Sequence, residues 1–497
     1  KEVQKEHNLA SYKLDNVAAE FMRGNITRNK PTKERKDKQF IFTNDIGTLI
    51  KGKYIKIVEY NSIGEQFYEK GKKFKIRGVN HEQLFLIVEG DFTMKPEYKY
   101  KWCEAKDDIS PQDIFRKQKE GSKERAEIAK YCIQDCELCI HLIHKFENII
   151  RNMSMGNVCY VPNQFIYLRG QGVKIFSLVA KTASNYPEGI GTLISTKNNN
   201  FDDADKIEQG ETRDAFEGAI VLEPNGTGKN GGGIYIDEPV AVMDFASLYP
   251  SSMMERNLSH ETIVTEKMMK DYPKDYIIED KSADKTKLLF NGKTFNVTRI
   301  VYENYFFKYE GKTWKKHRHT TKPNITCWFV QNNVGIIPHV VGTLLKNRKA
   351  TKNELKNEKD PERKKVLDGK QLSYKLTANS TYGQIGAKTS QLYLQEIAAC
   401  TTATGREHIM TAKSFVEDKF VGSKVVYGDT DSIFVNFSKW IHEHPDSEYK
   451  GQNKSGLDLV DATIKTAQKA DELFTEKGVY DKPQHLEYEK TFWPFIQ

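Results

Sequence analysis

The stretch Val425-Val426-Tyr427-Gly428-Asp429-Thr430-Asp431-Ser432-Ile433-Phe434-Val435 sets two carboxylates at the tip of a β-hairpin between two apolar strands. Side chains at i and i+2 of an extended segment point the same way, so Asp429 and Asp431 are expected to share one face of the turn. Like charges that close raise each other's pKa and repel, and a bound cation relieves that cost. Gly-Asp-Thr-Asp is also ordinary turn chemistry, which a solvated loop uses as readily. The rest of the chain has to decide between the two.

A further carboxylate stands at the end of an apolar run, in Val240-Ala241-Val242-Met243-Asp244-Phe245-Ala246-Ser247-Leu248-Tyr249-Pro250-Ser251. The run reads as strand up to Phe245, then as a turn into a helix whose free N–H groups suit a phosphate. Asp244 is then a metal ligand or an ordinary helix-capping residue. Two helices are expected at Val340 to Asn357 and Arg363 to Tyr382, as an antiparallel hairpin broken by Asp360-Pro361. Lys375, Asn379 and Tyr382 share a face of the second helix before Gly383, which is expected to end it, and Arg348 and Lys352 repeat the four-residue spacing on the first. The hairpin offers a cationic clamp for phosphates, or two solvated Lys-rich faces. Together the three regions supply the parts of two-metal phosphoryl transfer, with cations roughly 4 Å apart.

The 497 residues are enough for two to four domains, and a net charge of +8 permits a polyanionic partner without demanding one. No run approaches the roughly 18 apolar residues of a membrane span, and Lys1 to Asn8 has no signal-peptide core. Seven cysteines suit a reducing compartment. Cys132, Cys136 and Cys139 lie in an expected helix (Ala126 to Phe146) without a second pair at zinc spacing, so they read as reduced thiols. Pro111 to Ile150 reads as a long helical stretch, and Gln39 to Gly90 as a β-rich insertion. Arg28 to Lys38 reads as a solvated basic linker. The loop Gly226 to Gly233 fails as a phosphate loop, because Gly228-Lys229 is followed by Asn230. The Lys- and Tyr-rich stretch 261–326 reads as an insertion and shows no motif. The chain begins in mid-pattern and is expected to be a piece of something longer.

The segments Asp244 to Ser251, Lys375-Leu376-Thr377-Ala378-Asn379-Ser380-Thr381-Tyr382-Gly383 and Tyr427 to Ser432 resemble, in order, the three polymerase motifs of family B DNA polymerases. The resemblance runs through Gly335-Ile336-Ile337-Pro338 and Leu367-Asp368-Gly369-Lys370-Gln371-Leu372. It is closest to the delta-type branch and to polymerases of large DNA viruses. Ser11 to Ala18 and Tyr131-Cys132-Ile133-Gln134-Asp135 resemble the end of the family's 3′ to 5′ exonuclease domain. Phe216-Glu217-Gly218-Ala219 resembles its template-contact motif, with Phe where the family has Tyr.

The resemblance implies a multidomain α+β right-hand polymerase, with a mixed or antiparallel palm sheet and a helical-hairpin fingers domain, preceded by part of an RNase H-like exonuclease domain. Residues 1–150 are the exonuclease part, with the β-rich insertion near 39–100. Residues 151–338 are a linker and the first half of the palm, with an insertion near 261–326. Residues 339–383 are the fingers and 384–497 the second half of the palm. The first two exonuclease motifs are expected before Lys1, and the thumb after Gln497. The implied reaction is template-directed nucleotidyl transfer from dNTP to a primer 3′-OH, with proofreading by the longer protein.

Asp244 and Asp431 are implied to bind two Mg²⁺ ions (Mn²⁺ a possible substitute), with the carbonyl of Phe245 as a further ligand and Asp429 as a supporting acid. Ser247, Leu248 and Tyr249 seat the triphosphate, Arg348, Lys352 and the catalytic Lys375 close on it, and Asn379 and Tyr382 line the base-pair pocket. Tyr249 also excludes a 2′-OH. Tyr131 and Asp135 are the exonuclease remnant. Implied partners are primer-template DNA, dNTPs and a sliding clamp or other replication factors. The implied location is intracellular, in the nucleus or a cytoplasmic viral replication site. The alternative is a polymerase-like scaffold that binds DNA without catalysis.

Overall fold

The computed structural model describes residues 3–4, 7–31, 37–61, 64–105, 109–185, 212–224, 233–476, 478–479 and 482–496. The chain divides into two compact units, Lys1–Ile150 and Arg151–Gln497. Among the described residues no helix is long and apolar enough to cross a membrane. The glycine-rich segment 226–232 lies outside the described residues.

The first unit holds a closed antiparallel barrel. Its strands are Arg23–Pro31, Lys38–Thr43, Tyr54–Tyr60, Lys73–Asn80, Phe85–Glu89 and Lys99–Ala105, and the last pairs with both the first and the third. The β-rich region therefore extends beyond 39–100, and Arg28 to Pro31 is strand rather than linker, paired with Gln39–Phe42. The first strand is hard to see in sequence because only Gly24 and Ile26 along it are buried. Gly24 is required there: a Cβ would come within 2.7 Å of the Trp102 indole nitrogen. Ile41, Ile55, Ile57, Phe74, Ile76, Leu86 and Val88 fill the interior, which makes the barrel a packed core rather than a channel.

One ion pair is sealed into this unit. Lys53 Nζ lies 2.7 Å from Glu104 Oε1, with side chains 8% and 2% exposed, and Thr48 Oγ1 donates to the other carboxylate oxygen at 3.0 Å. Removing one partner of such a pair leaves a buried charge and costs about 3–5 kcal/mol, whereas replacing both with apolar groups is often neutral. Glu104→Ala is therefore expected to lower the melting temperature of this unit by calorimetry, and Lys53→Met combined with Glu104→Leu to restore it. An unchanged melt in Glu104→Ala would show that the pair contributes nothing.

The helical stretch expected at 111–150 consists of Pro111–Glu120, Ser122–Lys145 and Asn148–Cys159. Ser110 and Asp113 cap the first reciprocally. Cys132, Cys136 and Cys139 are free and exposed on the second. Tyr131 and Asp135, one turn apart on that helix, are partly buried.

The second unit is built on a five-stranded antiparallel sheet, ordered Leu486–Phe492, Val240–Phe245, Ser432–Asn436, Lys424–Asp429 and Val221–Leu222. Ala241, Met243, Phe245, Ile433 and Val435 pack in one core with Ile409, Ala412 and Val416 of helix Gln395–Lys419 and Leu459 and Ala462 of helix Gly456–Glu476. By strand alternation Asp244 faces away from those helices.

The helical hairpin comprises Ile336–Asn357 and Pro361–Gly386. Asp360 caps the second helix by accepting from Glu362 N–H at 3.0 Å, with Pro361 in its first turn. Gly383 does not end the helix as expected, because the following turn carries the fully buried Ile385 into the core and Gly386 is the last helical residue. Gly335, which precedes the first helix, is forced by packing: a Cβ would stand 2.6 Å from that of Ser259. Its N–H donates to Asn257 Oδ1 at 2.8 Å, and the N–H groups of Ile336 and Ile337 donate to Glu261 and Ser259. A distant loop thus caps this helix.

The stretch 261–326 forms mostly strands. The long strand Lys293–Glu310 runs through two pairings, with Asn324–Val330 and Lys285–Phe290 in its first part, and with Thr313–Arg318 and Thr212–Phe216 towards its end.

Candidate active site

Asp244 and Asp431 meet because two strands pair in register. Asp244 is opposite Ser432 across the ladder, and the Phe245 N–H donates to the Asp431 carbonyl at 2.7 Å. The hairpin tip itself is not extended. Thr430 takes φ +55°, and the Asp431 N–H closes back on the Asp429 carbonyl at 2.6 Å, a tight three-residue turn that a β-branched residue adopts only under strain. The i, i+2 argument therefore fails at this tip. Asp429 is exposed and accepts from its neighbour Thr430 Oγ1 at 2.8 Å, whereas Asp431 is half-buried on the Asp244 side.

The electrostatics are those of crowded, partly buried carboxylates that a single lysine only partly offsets. Burial, reinforced by Asp431, Glu489 and Glu487 and opposed by Lys490, pushes the Asp244 carboxyl up to about 7. Burial also raises Asp431, with Asp429 and Glu489 adding to it and its own backbone N–H opposing. The two glutamates come from the neighbouring strand. Glu487 is opposite Asp244, and Glu489 is the extra residue of a bulge between the pairs Val242↔Lys490 and Met243↔Tyr488, a device that re-aims side chains beside active sites.

Beyond Phe245, Ser247 takes φ +58° and starts helix Leu248–Glu255 without a side-chain cap. The first N–H groups of a helix have no intrahelical acceptor. Leu248 is 2% exposed and sits in the core, so only its backbone is placed to meet a ligand. Tyr249 is half-buried and electrostatically coupled to Asp431, and its ring packs on Tyr382 at 4.5 Å between centroids.

Lys375 and Asn379 are exposed on the same helical face as the half-buried Tyr382. On the facing helix Lys352 is exposed, and the Arg348 Nε is buried without a hydrogen bond among the described residues. No ion pair joins Arg348, Lys352 or Lys375 to the carboxylates among the described residues. The structure therefore unites Asp244, Asp431, Tyr249 and Tyr382, and leaves the cations on the hairpin.

Two residues behind Tyr249 escaped the sequence reading. A Cβ on Gly405 would stand 3.1 Å from Tyr249 Cε1 and 3.3 Å from Leu248 Cδ2, so this glycine admits the ring. A glycine inside a long helix costs roughly 1 kcal/mol against alanine, and that anomaly was the available signal. Arg406 donates to the carbonyls of Glu217 and Gly218 at 2.9 and 2.6 Å, tying the segment after Phe216 to the helix beneath Tyr249.

The family model described as DNA polymerase family B matches residues 161–447, which include all three motifs. This chain belongs to that family. A DNA polymerase of Pyramimonas orientalis virus is 37% identical across 100% of the chain and 38% of its own length. One of Phaeocystis pouchetii virus is 34% identical over 95% of the chain and 44% of its own. The DNA polymerase delta catalytic subunit of Drosophila melanogaster is 31% identical over 79% of the chain and 30% of its own. The viral and delta-type likeness read from the motifs is borne out, and the chain spans less than half the length of these family B relatives.

Proposed function

We propose that the protein carrying this chain performs template-directed DNA synthesis, transferring nucleotides from dNTPs to a primer 3′-OH. The observation that carries this reading is the ladder that brings Asp244 and Asp431 together beside Tyr249 and the start of helix Leu248–Glu255. In this reading the five-stranded sheet is the palm and the helical hairpin the fingers. Tyr131 and Asp135 belong to the proofreading exonuclease.

The donor set fits divalent cations. Among the described residues no group of three or more His, Cys, Asp or Glu side chains is arranged to hold an ion, but Mg²⁺ is commonly held by one or two carboxylates together with substrate phosphates. Asp244 and Asp431 would hold two such ions, with the Phe245 carbonyl as a further oxygen. Ions held there would supply activation of the attacking oxygen and stabilisation of the leaving one. The chain's own part is positional. The backbone from Ser247 to Tyr249 receives the triphosphate, Arg348, Lys352 and Lys375 neutralise it from the hairpin, and Asp429 supports Asp431. Asn379 and Tyr382 shape the pocket for the nascent pair, and hairpin closure around a fitting pair links selection to rate.

The deciding experiment is extension of a primed template with Mg²⁺, comparing dNTPs with rNTPs. Template-dependent growth with dNTPs supports the reading. Tight DNA binding without extension in Mg²⁺ or Mn²⁺ would establish the non-catalytic scaffold instead.

A pH experiment tests the carboxylate site separately. Folded Asp244 keeps its proton to about 7, whereas an unfolded aspartate ionises near 4. The folded state thus binds more protons across that window, and without divalent ions this residue's contribution to stability falls as pH rises through it. Asp244→Asn is expected to flatten that decline in denaturation curves measured in chelator, and Mg²⁺ to stabilise the unsubstituted chain most at the alkaline end. Identical pH profiles for the two proteins would contradict the crowded-carboxylate account.

A further inference from the structure

The stretch 303–318 shows no sequence motif, yet its pairing register sorts the side chains into two unlike faces. In the ladder Tyr305 is opposite Arg318, Phe307 opposite Lys316 and Tyr309 opposite Trp314, and on the other edge Phe307 is opposite Arg213. Opposed residues of antiparallel strands share a face. One face therefore carries Tyr305, Phe307, Tyr309 and Trp314 interleaved with Arg213, Lys316 and Arg318. The guanidinium of Arg213 lies 4.3 Å from the Trp314 ring centre and Lys316 Nζ 4.2 Å from that of Tyr305. Phe307 is 38% exposed.

Glu303 pairs with Arg318 at 3.0 Å and Glu217 with Lys316 at 2.8 Å. The opposite face is different. It places Lys308, Lys315 and His317 around Glu310.

We propose that the aromatic and cationic face of this ribbon seats single-stranded DNA. Aromatic platforms stack on bases of any sequence and the interleaved cations meet the phosphates, the combination by which proteins hold single strands. A chain of contacts leads from this face towards the carboxylate site. Glu217, bound to Lys316 through its side chain, accepts from Arg406 through its carbonyl at 2.9 Å, and Arg406 is coupled electrostatically to Tyr249. That the strand is the unpaired template rests on the polymerase reading above, whereas single-strand affinity itself does not.

The test is binding of fluorescent (dT)₂₀ to the full chain by anisotropy across a salt series. Phe307→Ala with Trp314→Ala is expected to weaken binding at least roughly tenfold. Lys316→Ala with Arg318→Ala is expected to lower the slope of log affinity against log salt by about 1.4. Lys308→Ala with Lys315→Ala removes equal charge from the other face and is expected to leave both nearly unchanged. Trp314→Phe keeps a platform and is expected to retain affinity, and unchanged melting temperatures guard against misfolding.

Equal losses in the two lysine- and arginine-substituted proteins, or no loss in the double aromatic one, would overturn the proposal. So would an equal loss for blunt duplex, which has no single strand to stack. Binding uses neither nucleotide nor chemistry. A protein that binds (dT)₂₀ through this face but fails to extend a primer would therefore refute the polymerase reading and leave the ribbon standing. Normal extension with ribbon-independent binding would do the reverse.

Discussion

Replacing Asp431 with alanine is expected to lower primer extension by roughly 10³-fold or more, corresponding to about 4 kcal/mol of lost transition-state stabilisation. Asp431 is one of two carboxylates that the ladder brings together, and the backbone that positions it also anchors Phe245. Asp244 cannot replace it alone. Its carboxyl is already pushed up to about 7 by burial and by its acidic neighbours, so removing Asp431 makes Asp244 easier to ionise while leaving a single ligand. The fold should survive, because Asp431 is only half-buried and its ladder bond is made by the main chain. Primer-template binding measured beside extension should thus stay within a few-fold of the parent protein. Extension that persists near the original rate would sink the assignment of this carboxylate.

The second large effect concerns choice of sugar. Tyr249→Ala is expected to raise the rate of rNTP relative to dNTP incorporation on the order of 100-fold, the scale on which a pocket rejects an added hydroxyl. Tyr249 is held from two sides, by the Tyr382 ring at 4.5 Å and by the close approach of Gly405. A rigid ring excludes a hydroxyl where a mobile one would yield. Steady-state incorporation of each nucleotide against the same template base gives the ratio directly. Discrimination that does not move would show that Tyr249 does not touch the sugar. Tyr249→Phe keeps the ring and removes only the phenol, so it should retain selectivity and separate sterics from hydrogen bonding.

Much of the site was legible because its signals are local. The apolar run into Asp244, the proline-initiated helix at Pro361 and the apolar strands around Gly428 each follow from residue period and turn chemistry, and the described elements lie where those patterns put them. The errors are instructive for the same reason. Gly383 has the sequence of a helix stop, but burial of Ile385 outweighs it. The Asp429-Thr430-Asp431 tip has the alternation of a strand, but the turn places Thr430 at positive φ and separates the two acids by exposure.

The amino-acid sequence by itself determined the family, the three motifs and the chemistry their residues can support, since these depend on residue types at short spacings. Only the tertiary structure decided which acids are neighbours. Asp244 lies between Ser432 and Glu487, with Glu489 brought close by a bulge in a strand more than 240 residues downstream. It also decided that a stretch without a motif presents its aromatics and its cations on one face. Lateral strand pairing is set by which cores close over which segments, and that long-range competition leaves no imprint at the spacing of a few residues.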